Sequence, residues 1–126
     1  MNIVSSARPE QIQKWCALGL RYRIHFRDGG GMLEAWYKRP SGVQAMAVAL
    51  DEKNKPIAIA LVLKRGWRDL DYVDMDIIDV GVYTKYRYRR RGIGTELVTR
   101  CQRLIGKSVR GDQWDNQSTA FYQSMA

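Results

Sequence analysis

Residues 79–98 read Asp79-Val80-Gly81-Val82-Tyr83-Thr84-Lys85-Tyr86-Arg87-Tyr88-Arg89-Arg90-Arg91-Gly92-Ile93-Gly94-Thr95-Glu96-Leu97-Val98. A β-branched, apolar stretch runs into a basic loop, then into Gly-x-Gly, then into a segment with helical periodicity. Strand, glycine loop and helix start together make an anion cradle, because the first N–H groups of a helix are unpaired and its dipole is positive there. Glycines at 92 and 94 let the backbone approach a phosphate with no Cβ in the way. The arginines add charge-assisted hydrogen bonds and steering. Leu97 stands where a dinucleotide fingerprint needs its third glycine, and no Gly-Lys-Ser/Thr closes a nucleotide-triphosphate loop.

Arg89-x-x-Gly92-x-Gly94 resembles the Q/R-x-x-G-x-G/A signature of the GCN5-related N-acetyltransferase (GNAT) family. In that family the loop holds the pyrophosphate of acetyl-coenzyme A. The resemblance therefore implies a cofactor site on Arg89, Arg90, Arg91, Gly92, Ile93, Gly94 and Thr95. It also implies that backbone N–H groups at Val82, Tyr83 and Thr84 meet the amide arm and thioester of the cofactor. The competing reading is a basic, solvated loop capped by glycines.

At 126 residues the chain is long enough for one domain, 1–126, with a true core, and too short for two. Its apolar content of 45% is that of a globular protein. No apolar run approaches bilayer length, so no membrane partner is expected. The N-terminus has no basic start followed by an apolar run, which predicts a cytoplasmic protein. Cys16 and Cys101 form no Cys-x-x-Cys pair, and His25 is the one histidine, so no metal site is expected. Both cysteines fall on apolar faces of predicted helices, where core packing is their expected role. The formal net charge of +8 favours polyanionic partners without choosing among them.

Residues 1–6 read as a short strand. Pro9 and Glu10 suit the start of a helix, in which Ile12, Trp15, Cys16, Leu20 and Ile24 recur at helical spacing. Asp28-Gly29-Gly30-Gly31 is expected to end that helix, and residues 32–39 form a second one, stopped by Pro40-Ser41-Gly42. Residues 43–50 and 57–63 are two apolar strands joined through the polar segment 51–56 as a hairpin. Residues 73–84 supply the next strand. Leu97, Val98, Cys101, Leu104 and Ile105 form the buried stripe of the helix after the glycine loop, and Gly106 stops it. A strand near Val109 and a helix from Asn116 complete the chain. The order β-α-α-β-β-β-α-β-α resembles that of the GNAT family over nearly the whole sequence. The fold class is α/β (α+β), with a mixed, mostly antiparallel sheet flanked by helices.

Direct acetyl transfer needs the phosphates held, the thioester oxygen stabilised, the amine deprotonated and the leaving thiolate protonated. Ser118-Thr119-Ala120-Phe121-Tyr122 is similar to a family segment whose tyrosine often protonates the thiolate, which maps that role onto Tyr122. A phenol with a pKa near 10 can give its proton to a thiolate. The alternative is a tyrosine packed under the sheet. Asp69, Asp71, Asp74, Asp76 and Asp79 crowd the region before the glycine loop. The family base, where one exists on this strand, falls near Asp76 or Asp79. These carboxylates equally suit a cationic acceptor or a solvated face, and water can relay the proton.

The sequence departs from the family in two places. Thr84 and Lys85 replace the usual proline and acidic residue, and the chain ends at Ala126 without the family's Gly-Phe and final strand. The open sheet edge this implies is expected to be covered by a second copy or a partner. The leading function is acetyl-CoA-dependent N-acetylation of a primary amine, with a protein lysine or a protein N-terminus as candidate acceptors. A second reading is a nucleic-acid-binding module. Tyr83, Tyr86, Arg87, Tyr88 and Arg89–Arg91 interleave rings and cations for it, with Trp36, Trp67 and Trp114 as further platforms. A third is a catalytically silent protein of the same fold that binds coenzyme A or a partner.

Overall fold

A computed structural model describes residues 1–24, 31–63, 80–84, 86–88 and 90–106. Strands β1 (Asn2–Ser6), β2 (Val43–Leu50), β3 (Pro56–Leu63) and β4 (Val80–Thr84) form one sheet in the order β1-β2-β3-β4, every neighbour antiparallel. Helices α1 (Pro9–Arg21) and α2 (Gly31–Lys38) precede β2, and α3 (Ile93–Ile105) follows β4. Single 3-10 turns occupy Pro40–Gly42 and Tyr86–Tyr88. The described elements follow the expected order as far as α3. Residues 73–79, the strand near Val109 and the helix from Asn116 lie outside the described residues.

The two central strands are apolar on both faces, and side-chain size divides them. Met46, Val48, Ile59, Leu61 and Leu63 point to one face, where they pack with Ile12, Trp15 and Cys16 of α1 and with Leu33 and Trp36 of α2. Ala45, Ala47, Ala49, Ala58 and Ala60 point to the other, against Ile93, Leu97, Val98 and Cys101 of α3. Alternation with period two assigns these faces. The alanine face lets α3 lie close to the sheet, while the larger face fills the wider gap under two helices. The hairpin between β2 and β3 closes through Asp51, whose Oδ1 accepts the N–H groups of Lys53 at 2.8 Å and Lys55 at 2.9 Å.

Two expectations need correction. Helix α1 ends at Arg21 rather than before the glycine triplet. The N–H of Ile24 donates to the Gly19 carbonyl at 2.9 Å and that of Arg23 to Leu20 at 3.1 Å, with Arg23 left-handed at φ 56°. This is a Schellman end. Ile24 is buried through that turn, not as part of the helix. Leu104 is 47% exposed instead of buried, while Ile105 beside it packs against the α3 side of the core.

Candidate cofactor site

The end of β4 and the start of α3 are joined by the basic loop. β4 is held on β3 from Ala58↔Thr84 to Val62↔Val80. Val82, Tyr83 and Thr84 therefore lie on a strand anchored to the centre of the sheet, just before the loop that leads into α3. Gly92 is the N-cap of α3 and sits in the left-handed region at φ 75°, which only glycine adopts at little cost. Among the described residues, no heavy atom stands within 4 Å of where a Cβ on Gly92 would be, and no side chain caps the helix.

The first bond of α3 runs from the Glu96 N–H to the Gly92 carbonyl at 3.0 Å. The N–H groups of Ile93, Gly94 and Thr95 precede it and have no acceptor within the helix. Their position at the positive end of the dipole suits an anion. Glu96 is the acidic residue of that first turn. Its carboxylate is drawn along the helix by Arg100, whose Nε donates to it at 3.1 Å, which offsets its repulsion of a bound phosphate.

Arg87, Arg90 and Arg91 are exposed around this helix start. Arg90 also takes a left-handed conformation, at φ 65°. The guanidinium carbons of Arg87 and Arg91 lie over the Tyr88 ring, 5.5 and 5.6 Å from its centroid. Tyr88 itself is half-buried against the α3 side of the core. The uncapped helix start, the clear approach to Gly92 among the described residues and three exposed cations fit a diphosphate group.

Of the residues expected to bind cofactor, the structure brings Arg90, Arg91, Gly92, Ile93, Gly94 and Thr95 together at one helix start. Arg89, and the catalytic candidates Asp76, Asp79 and Tyr122, lie outside the described residues. Sequence reasoning placed Tyr88 and Arg87 among nucleic-acid contacts and missed their contact with one another. The signal was an aromatic residue flanked by arginines. Trp36, 1% exposed, is core and no stacking platform, and Trp67 and Trp114 lie outside the described residues. Both cysteines are buried and unpaired, and burial pushes each thiol up to about 12. Neither can serve as a nucleophile near neutral pH. Among the described residues no helix is long and apolar enough to cross a membrane, and no group of three His, Cys, Asp or Glu could hold a metal ion.

The sequence pattern of the Acetyltransferase (GNAT) family matches residues 8–126. No curated protein sequence matches the chain. Among solved structures, AAC(6')-Iy in complex with the bisubstrate analogue CoA-S-monomethyl-acetylneamine is similar at a TM-score of 0.64 and 16% identity, over 100% of this chain and 90% of that one. The aminoglycoside 6'-N-acetyltransferase AAC(6')-Ih from Acinetobacter baumannii gives a TM-score of 0.62 at 21% identity, over 99% and 88%. An acetyltransferase of the GNAT family from Streptococcus pneumoniae gives 0.58 at 13%, over 98% and 83%. At these identities the likeness is one of fold.

Proposed function

The chain belongs to the acetyltransferase (GNAT) family, and from that premise we propose that it moves an acetyl group from acetyl-CoA directly to a primary amine. The observation that carries the proposal is the start of α3. There Gly92 holds a left-handed φ with no heavy atom of the described residues near its Cβ position, and three helix N–H groups precede the first helical bond. Acetyl-CoA supplies the acetyl thioester. The N–H groups of residues 93–95, with Arg90 and Arg91 and the neighbouring Arg89, hold its diphosphate. Solved neighbours of this fold are described as complexes with CoA, which supports the same cosubstrate here.

The loop would set the thioester arm beside β4, where those backbone N–H groups among Val82, Tyr83 and Thr84 that face away from β3 stabilise negative charge developing on the thioester oxygen. Asp76 or Asp79, or a water between them and the amine, takes the proton lost by the nucleophile. Tyr122 returns a proton to the leaving thiolate. Each of these roles follows from the family resemblance of the segments that carry them. The acceptor is a small polyamine-like molecule, a protein lysine or a protein N-terminus.

The test is release of the free coenzyme A thiol from acetyl-CoA by purified protein, followed with a thiol reagent across a panel of amines. The panel should include polyamines, aminoglycosides, lysine peptides and peptides with free N-termini. Amine-dependent release that is lost in Gly92→Glu supports the proposal. Tight acetyl-CoA binding with no release on any amine would favour the catalytically silent reading.

A further inference from the structure

We propose that Tyr88 is a positioning residue for cofactor phosphate, its ring presenting the guanidinium groups of Arg87 and Arg91 as a preset pair beside the start of α3. This inference rests on the cofactor site described above and assigns a residue outside the family's glycine signature. Three observations support it. The ring is half-buried and packs against the cluster formed by α3 and the alanine face of the sheet, so it is a fixed platform. Both arginines are exposed residues. Their Cζ atoms nonetheless lie 5.5 and 5.6 Å from the same ring centroid.

The chemistry of the guanidinium makes this arrangement useful. Its N–H donors lie in the plane of the group. A guanidinium attracted to an aromatic ring through its face keeps that in-plane fork free for phosphate oxygens. An arginine on an open surface gives up about 2 kcal/mol of rotamer freedom when it is fixed. Contact with Tyr88 removes part of that loss before the ligand arrives. The backbone brings the pair to the ring. Tyr86–Tyr88 form a 3-10 turn, and Arg90, between Tyr88 and Arg91 in the chain, is left-handed at φ 65°.

Calorimetric titration of acetyl-CoA into the wild type, Tyr88→Phe and Tyr88→Leu tests the proposal, with thermal unfolding of each unliganded protein alongside. Tyr88→Phe keeps the ring and should bind within about twofold of wild type, while Tyr88→Leu keeps the apolar packing but should bind about three- to tenfold more weakly. Unfolding temperatures of the two variants should be close to each other, which a purely structural role would not produce together with the affinity loss. Arg87→Gln and Arg91→Gln, both at exposed sites, should weaken binding in the wild type and do so less in the Tyr88→Leu background. Should Tyr88→Leu not fold, a ring-fluorinated phenylalanine at position 88 keeps the shape, loses the negative ring face, and should show the same affinity loss. Equal binding by wild type and the ring-free or fluorinated protein, or arginine effects of equal size in both backgrounds, would overturn the role of Tyr88 alone. Failure of the wild type to bind acetyl-CoA would overturn the cofactor site and this inference with it.

Discussion

The carbonyl oxygen of Gly92 accepts the N–H of Glu96 at 3.0 Å, and the three residues between them begin α3 with no helical acceptor for their own N–H groups. One backbone bond thus fixes both where the helix starts and where an anion can be held. Gly92 at φ 75° and Gly106 at φ 70° bracket the helix in the same left-handed conformation, each with no heavy atom of the described residues within 4 Å of its Cβ position.

Replacing either glycine by alanine should therefore cost about 1–2 kcal/mol of stability through backbone strain alone. Denaturant unfolding of Gly92→Ala and Gly106→Ala would measure this. The two should separate on binding, with only Gly92→Ala weakening acetyl-CoA. Equal effects on affinity would detach the cofactor from the start of the helix.

Gly42 has a different reason to be glycine. An added Cβ would meet the six-membered ring of Trp36, lying 3.2 Å from Cε3 and 3.4 Å from Cη2 and closer still to Cζ3. That ring is buried and rigid. Gly42→Ala should therefore destabilise by about 1–3 kcal/mol through overpacking. Tryptophan fluorescence on denaturant unfolding reports the change, and an unchanged midpoint would contradict the packing.

Arg100 bridges α3 to the edge strand, donating from Nη1 to the Ile3 carbonyl at 3.1 Å and from Nε to Glu96. Arg100→Ala should cost about 1–2 kcal/mol, the sum of a backbone hydrogen bond and a partly exposed helix pair. Arg8, whose side chain is 78% exposed, pairs only locally with Glu10. Arg8→Ala should stay within about 0.5 kcal/mol of wild type. Comparable losses in the two variants would argue against the bridge to β1.

Cys16 and Cys101 should be inert to thiol reagents at pH 8 in the folded protein and should react fully once it is denatured. Burial raises both thiols from the ordinary 9.0 to about 12. Because the folded value is the higher one, the stability they contribute is complete below pH 9. It is lost as pH rises toward 12. The stability difference between wild type and a Cys16→Ala, Cys101→Ala variant should accordingly shrink over that range. Rapid labelling of the native protein would contradict the burial.

The hairpin was legible in the sequence because Asp51 through Pro56 interrupts two apolar runs, and the strands β2 (Val43–Leu50) and β3 (Pro56–Leu63) flank that interruption. The glycine loop was legible for a similar reason. Gly92 and Gly106 stand at positions whose backbone demands them. The end of α1 was not, because its left-handed residue is Arg23, which carries no glycine signal. Ile24, buried just beyond it, continues the helical spacing in the sequence although the helix has ended. Leu104 misled in another way: it continues the apolar stripe of the sequence yet stands exposed, while Ile105, one residue on, packs against the core. The placing of Arg87 and Arg91 over Tyr88 depends on local backbone geometry, including a left-handed Arg90, which a linear pattern of rings and charges does not encode.

The central claim is that the start of α3 holds acetyl-CoA. Thermal unfolding of the wild type and Gly92→Glu, each with and without acetyl-CoA, tests it most directly. Ligand at a hundred times its dissociation constant should stabilise the wild type by about 2.7 kcal/mol, which is a rise of several degrees for a domain of this size. The wild type should show that rise and Gly92→Glu should not. An unchanged unfolding temperature in well-folded wild type, or an equal rise in both proteins, would contradict it.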